Sequence, residues 1–309
     1  MKLDRRAVLG LSGYALAAGL LPVRQVQAAT MNSLRLFEPV GRPSLIWAIF
    51  DLLRPGLQQL LNCQVVLQAV PGQGGFDAIH AMLQTNNQDV GLVGVDVMAS
   101  QYGAKTDIRV ENMTPVVKLM NGYSVTLFTT RGNPLRTWAQ VRAAKPLKVS
   151  SPAPASAAYL AALMMQRKGH VSAQITPRGS IGEVIDDVNS GRAAVGILPT
   201  VIVATNQDQF QAILSFGAEQ SAMLTGVPTF AEATGDPKLA FTDSIGVFGS
   251  PQLDSGLAAR LSNAFILAGG DQDVQDQAEA ENIPLVLNRA PVLVATMERN
   301  QRVLQRILG

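Results

Sequence analysis

The chain is poor in the residues on which most metal centres, thiol chemistry and nucleic-acid surfaces depend. Its 309 residues include one cysteine, two histidines and 5% aromatics. A lone Cys63 allows no disulfide within the chain and no cysteine cluster for a metal. It lies in an apolar stretch with Leu60 and Leu61, where it reads as a small buried hydrophobe. His80 and His170 have no partner histidine at ligand spacing, so no metal site is expected. There is no Gly-x-Ser-x-Gly elbow and no Gly-Lys-Ser/Thr phosphate loop. Gly72-Gln73-Gly74-Gly75 does not complete a Gly-x-Gly-x-x-Gly fingerprint. No cofactor and no catalytic residue are expected from this inventory, which makes an enzyme the weakest reading. A secreted α/β enzyme would have to rest on His80 or His170, which fall in different halves of the chain. Few aromatics also leave a base-stacking platform poorly supplied.

Long apolar runs are missing too. The longest, residues 7–21, covers about 15 residues, short of the roughly 20 that span a bilayer. Lys2, Arg5 and Arg6 precede it, and Val26-Gln27-Ala28-Ala29 follows. Basic start, short apolar run and small-residue exit read as a signal peptide cleaved after Ala28. Arg5-Arg6-Ala7-Val8-Leu9 also fits a twin-arginine signal, so two export routes stay open. No cysteine stands at the cleavage site to take a lipid, and the expected product is soluble and periplasmic. Residues 1–28 hold four basic groups and one acidic group. Of 25 and 23 in the whole chain, 21 basic and 22 acidic remain, a net charge near −1. The alkaline pI belongs mostly to the leader, which removes the electrostatic motive for nucleic-acid binding.

What the chain has in quantity is apolar material, 47% of its residues against 16% charged, ample for a packed core. Short strand-like runs alternate with helical patterns. Strands are expected at 34–37, 65–70, 90–95, 147–151, 173–176, 194–199, 212–216 and 244–248. Helices are expected at 46–61 (interrupted by Pro55-Gly56), 76–83, 137–144, 155–167, from after Gly179-Ser180 to about Asn189, 257–267 and 292–307. Residues 116–119 and 125–130 read as an extended pair. The adjacent Asp186 and Asp187 read as solvated charges, and the Ala/Met stretch 161–165 as core. This alternation argues for βαβ units. The fold class expected is α/β, a two-lobed periplasmic binding protein of type II, each lobe a mainly parallel sheet flanked by helices. The divisions expected are signal peptide 1–28, first lobe 29–124, second lobe 125–226, and 227–309 returning to the first lobe with the C-terminal helices. Ligands of open α/β sheets sit beyond the carboxyl ends of strands, where helix N-termini favour an anion.

Several stretches carry a likeness to one family. Val70-Pro71-Gly72-Gln73-Gly74-Gly75 is similar to its Pro-Gly-x-Gly-Gly turn after the second strand. Met113-Thr114-Pro115-Val116-Val117 matches the segment leading into the crossover. Leu224-Thr225-Gly226-Val227-Pro228-Thr229-Phe230-Ala231-Glu232-Ala233 is similar to its Pro-x-Val-Pro-Thr-x-x-Glu-Ala block, and Gly179-Ser180 and Gly191 fit at their spacing. Taken in order, these make the chain resemble the substrate-binding receptors of tripartite tricarboxylate transporters, the Bug proteins.

The resemblance implies a receptor without enzymatic activity that takes a small, carboxylated ligand between two lobes. The partners implied are membrane permease subunits or, alternatively, a sensor kinase, with the receptor a monomer. The ligand-binding positions it implies are Val40, Gly41, Arg42, Pro43 and Ser44 in the first loop and Gly72, Gln73, Gly74 and Gly75 in the second. The other lobe offers Ser151, Ala155, Ser156, Arg178, Gly179 and Ser180. Here the chain departs from the family's pattern. The first loop keeps one glycine, and two glycines expected in 151–159 are Ala153 and Ala155. Tyr159 stands for a histidine, Pro177 for an aromatic and Arg178 for a lysine. These changes stiffen the loops and remove amide donors, so Arg42 or Arg178 is expected to replace them at a carboxylate.

Overall fold

The computed structural model describes residues 31–308 apart from 43, 72–75, 86–88, 104–108, 121, 153, 155 and 241. The leader expected at 1–28 lies outside the described residues.

Two mixed sheets, each covered by helices on both faces, organise the chain. The first half supplies β1 (Ser33–Glu38), α1 (Leu45–Leu61), β2 (Gln64–Ala69), α2 (Phe76–Leu83), β3 (Asp89–Asp96), α3 (Val97–Gly103) and β4 (Thr114–Lys118). The second lobe holds β5 (Val125–Thr130), α4 (Trp138–Ala143), β6 (Leu147–Pro152), α5 (Ala157–Lys168), β7 (Ala173–Arg178), α6 (Ile181–Asn189), β8 (Val195–Pro199), α7 (Thr200–Ala204), β9 (Phe210–Ser215) and α8 (Phe230–Thr234). The chain ends with β10 (Ile245–Gly249), α9 (Ser255–Gly269), α10 (Gln272–Ala280), β11 (Asn288–Arg289) and α11 (Ala290–Leu308).

Strand order is β11-β4-β10-β3-β1-β2 in one sheet and β7-β6-β8-β5-β9 in the other. β1 pairs parallel with β2 and β3, and β6 with β7 and β8. In each sheet one antiparallel strand is inserted beside the third of these, β10 in the first and β5 in the second. Each inserted strand is the first strand after the chain crosses over. The sheets thus share one topology, and the parallel βαβ units expected from the sequence are present. The extended pair expected at 116–119 and 125–130 is not a pair: β4 joins the first sheet and β5 the second. Their hydrogen-bond partners, β10 and β9, are distant in sequence, and no local pattern announces them.

The helices follow their apolar faces. α1 runs unbroken through Pro55, which is exposed, so the carbonyl it leaves unbonded turns to water. Gly56 has a reason of its own, because a Cβ there would stand 3.0 Å from the Ala268 Cβ. Its absence lets α9 pack closely on α1. α10 is polar throughout except Val274, Ala278 and Ala280, so its sequence carries no helical apolar stripe to announce it. One face of the first sheet packs with α1 and α9 around Phe50, Leu53 and Phe265. The other packs with α2 and α11 around Phe37, Ile79 and Phe248. In the second lobe, Ala161, Ala162, Met164 and Met165 are fully buried in the core, as the composition of that stretch implied. α11 joins both lobes: Leu293 and Met297 pack under the first sheet, and Leu308 in the core of the second.

Two segments connect the sheets, one before β5 and one before β10. They run antiparallel and bond to each other where Tyr123 N–H meets Asp243 O at 2.7 Å and Asp243 N–H meets Tyr123 O at 3.1 Å. This paired crossing is the structural hinge.

Candidate functional site

Beside the hinge, both lobes border a small cavity of about 40 Å³. β1 and β3 end at it from one side, β6 and β8 from the other. Its walls are mostly apolar: Leu45, Ile46, Val125, Ile181, Pro199 and Ile245. The polar groups are Ser44, Ser156, Tyr123 and Asp96. The first turns of α1, α5, α6 and α7 all reach it, through Leu45, Ala158, Ile181 and Thr200's neighbour Pro199. Leu45, Tyr123 and Pro199 also line a wider recess of about 560 Å³.

Three buried acids lie at strand ends and on the hinge, and one of them, Asp96, lines the crevice. Glu38 ends β1 and is fully buried. Its carboxylate accepts from Val40 N–H at 3.0 Å, Gly41 N–H at 2.6 Å and Ser44 Oγ at 2.6 Å. Gly41 has φ +81, the left-handed geometry that turns successive amides inward. The first loop therefore does form an anion nest, and the chain fills it with its own side chain. Asp96 ends β3, accepts from Ala157 N–H at 3.1 Å and from the Tyr123 hydroxyl, and faces the cavity. It thus occupies one of the free amides at the start of α5. Asp243 accepts from Met98, Ala99 and Ser244 N–H at 2.7–3.0 Å and caps α3 from across the hinge.

None of these acids has a cationic partner among the described residues. Burial raises the Glu38 carboxyl against its three hydrogen bonds. Burial pushes Asp96 up to about 6. Burial, and then the nearby charge of Asp96, pushes Asp243 up to about 7. Groups raised in the folded state bind protons more tightly there than in the unfolded chain. Their contribution is complete below the ordinary carboxylate value and is lost as pH rises through about 6 to 7. Asp187, whose value is lowered, acts in the opposite sense only in more acidic solution. Melting temperature is therefore expected to be several degrees lower at pH 8 than at pH 5. Scanning calorimetry at constant ionic strength measures it, and a melting temperature that climbs over this window contradicts the assignment.

The positions expected to bind ligand fall into distinct groups. Val40, Ser44 and Ser156 meet at the crevice. The Ser44 and Ser156 hydroxyls also cap α1 and α5, accepting from Trp47 N–H and Tyr159 N–H. Ser151 is buried within β6, where it bonds the Pro152 carbonyl. Arg42 points away from the crevice and lies 4.1 Å over the Trp47 ring. Arg178 is held by Asp187, Nε to Oδ2 at 2.5 Å, with Arg192 on the same carboxylate at 2.7 Å. Asp187 is therefore not the solvated charge expected; it is buried, also accepts from Ser150, and ties β7 to α6. Gly179 N–H donates to Glu183 and Ser180 Oγ accepts from Glu183 N–H, a reciprocal cap on α6. Pro43, Gly72, Gln73, Gly74, Gly75 and Ala155 lie outside the described residues. Sequence reasoning passed over Asp96, Tyr123 and Asp243. Their signal was an acid directly after an apolar strand in Val93-Gly94-Val95-Asp96, the place where ligands of such sheets sit.

No family model matches the chain, and neither does any curated protein. Solved structures do. A periplasmic binding protein named BugD aligns over 89% of this chain and 97% of its own, at 11% identity and a TM-score of 0.75. MatC of Rhodopseudomonas palustris, with bound malate, covers the same shares at 17% identity and a TM-score of 0.75. A second protein of that organism, solved with adipate, does so at 13% identity and a TM-score of 0.75. The chain has the two-lobed fold of these periplasmic binding proteins over nearly its whole described length.

Proposed function

We propose that the chain is an extracytoplasmic solute-binding receptor, which closes its two lobes over a small carboxylate and presents it to a membrane permease. The observation that carries this is the crevice itself. Helix N-termini from both lobes converge on one small crevice, and a two-segment hinge lies beside it. Amides at helix starts favour an anion, and structural neighbours of the same fold hold malate and adipate. With Glu38 filling the first-loop nest, the ligand's carboxylate is assigned to the starts of α5 and α6. The apolar walls at Ile46, Val125 and Ile181 suit an aliphatic or aromatic body better than a second charge.

A second reading rests on Asp96 alone. A buried carboxylate without a cation also suits a ligand that brings an amine. A thermal-shift panel of small carboxylates and small amines separates the two. At a hundred times its dissociation constant, a true ligand adds about 2.7 kcal/mol. Ile181→Arg places a long cation in the crevice and is expected to abolish that gain. Stabilisation of both proteins alike by the same compound, or of neither by any, counts against the crevice as the binding site.

A further inference from the structure

We propose a second binding site, for a small oxyanion, on the other side of the hinge from the solute crevice. It is a cavity of about 610 Å³ bounded by α11, by Lys118 at the end of β4, and by both crossing segments through Gly122, Thr242 and Ser244. Lys118 forms part of its floor and is 4% exposed. Its ammonium donates to Thr296 Oγ1 at 3.2 Å, and the Thr296 hydroxyl in turn donates to the Val292 carbonyl at 2.8 Å. Two ammonium protons are left over, and no carboxylate pairs with the group among the described residues.

Asn300 stands one turn along α11 from Thr296, also 4% exposed, and its Nδ2 finds no acceptor although it is buried. Arg299 lines the same cavity from an exposed position. An orphaned amide donor and an uncompensated ammonium in one cavity are costly unless an acceptor arrives. Among the described residues the lining holds no Asp or Glu; beside its apolar residues stand Lys118, Arg299, hydroxyls and two asparagine amides. Burial, and then the Arg299 charge, lower the Lys118 pKa, the strain that a bound anion would relieve. Lys118, the Asn300 amide and Arg299 together therefore favour an anion rich in acceptor oxygens. Lys118 supplies a point charge, Asn300 a directed donor and Arg299 a fork at the mouth.

Inorganic phosphate is the probe. Calorimetric titration at pH 7 is expected to show one saturable site, with chloride at matched ionic strength giving none. Lys118→Met should abolish the phosphate signal, and Arg299→Gln should weaken it several-fold. Should Lys118→Met not fold, Asn300→Leu serves in its place and should weaken binding about tenfold. Ile181→Arg, which blocks the solute crevice, should leave phosphate binding intact, so the two sites fail independently. The proposal is overturned if chloride reproduces the phosphate effect, if the α11 and β4 variants bind phosphate as the parent does, or if Ile181→Arg removes it.

Discussion

Asp96→Asn is expected to strengthen carboxylate binding roughly 30-fold at pH 8 and to weaken amine binding by a similar factor. Asp96 faces the crevice and has no compensating cation among the described residues. Two unit charges about 8 Å apart interact by about 2 kcal/mol at an effective dielectric of about 20, which is where the factor comes from. Asparagine keeps an oxygen for the Ala157 amide, so the start of α5 retains its cap. The pH dependence is the sharper signature. With Asp96 titrating at about 6, the parent protein should bind carboxylates progressively better as pH falls from 8 to 5. In Asp96→Asn that slope should largely vanish, and the two proteins should converge near pH 5. Isothermal titration across this range measures both. Equal affinities at pH 8 would remove Asp96 from the ligand's surroundings.

The second large effect concerns the nest that the chain fills itself. Glu38→Ala is expected to destabilise the protein by about 3 kcal/mol, because three donors lose their acceptor inside the fold and each unmet group costs about 1–3 kcal/mol. The space left behind is bounded by Val40 N–H, Gly41 N–H and the Ser44 hydroxyl. A small anion should therefore restore part of the loss. Tens of millimolar sodium formate should raise the melting temperature of Glu38→Ala by several degrees, and sodium chloride should not. A variant as stable as the parent, or one rescued equally by both salts, would show that Glu38 does not act as an internal ligand.

Much of the architecture was legible because local pattern and final structure agree. The strand runs at 90–95 and 147–151 became β3 and β6, and the helix at 155–167 became α5, since each is fixed by its own apolar periodicity. Non-local pairing was not legible. Residues 116–119 and 125–130 look like neighbours, yet each takes its partner from far along the chain, β10 for one and β9 for the other. α11 has an ordinary amphipathic pattern that says nothing of its reaching both lobes. The site was legible in outline and not in sign. Of the positions expected at strand ends, Val40, Ser44 and Ser156 border the crevice between the lobes, while the glycine turn lies outside the described residues. The sequence does not reveal that Glu38 and Asp96 turn inward to take amides, because an acid beside a strand reads equally well as a solvated charge. Asp187 shows the same ambiguity. Its neighbour Asp186 is exposed, while Asp187 is buried between two arginines that lie 9 and 5 residues from it.

Lobe closure around a solute is tested most directly by solution X-ray scattering. With a stabilising solute at saturation, the lobes should draw together and the radius of gyration should fall. Without it, the radius of gyration should be larger, since nothing of a solute's size can enter the closed form. Identical curves with and without a bound solute would contradict a receptor that captures its ligand by closing.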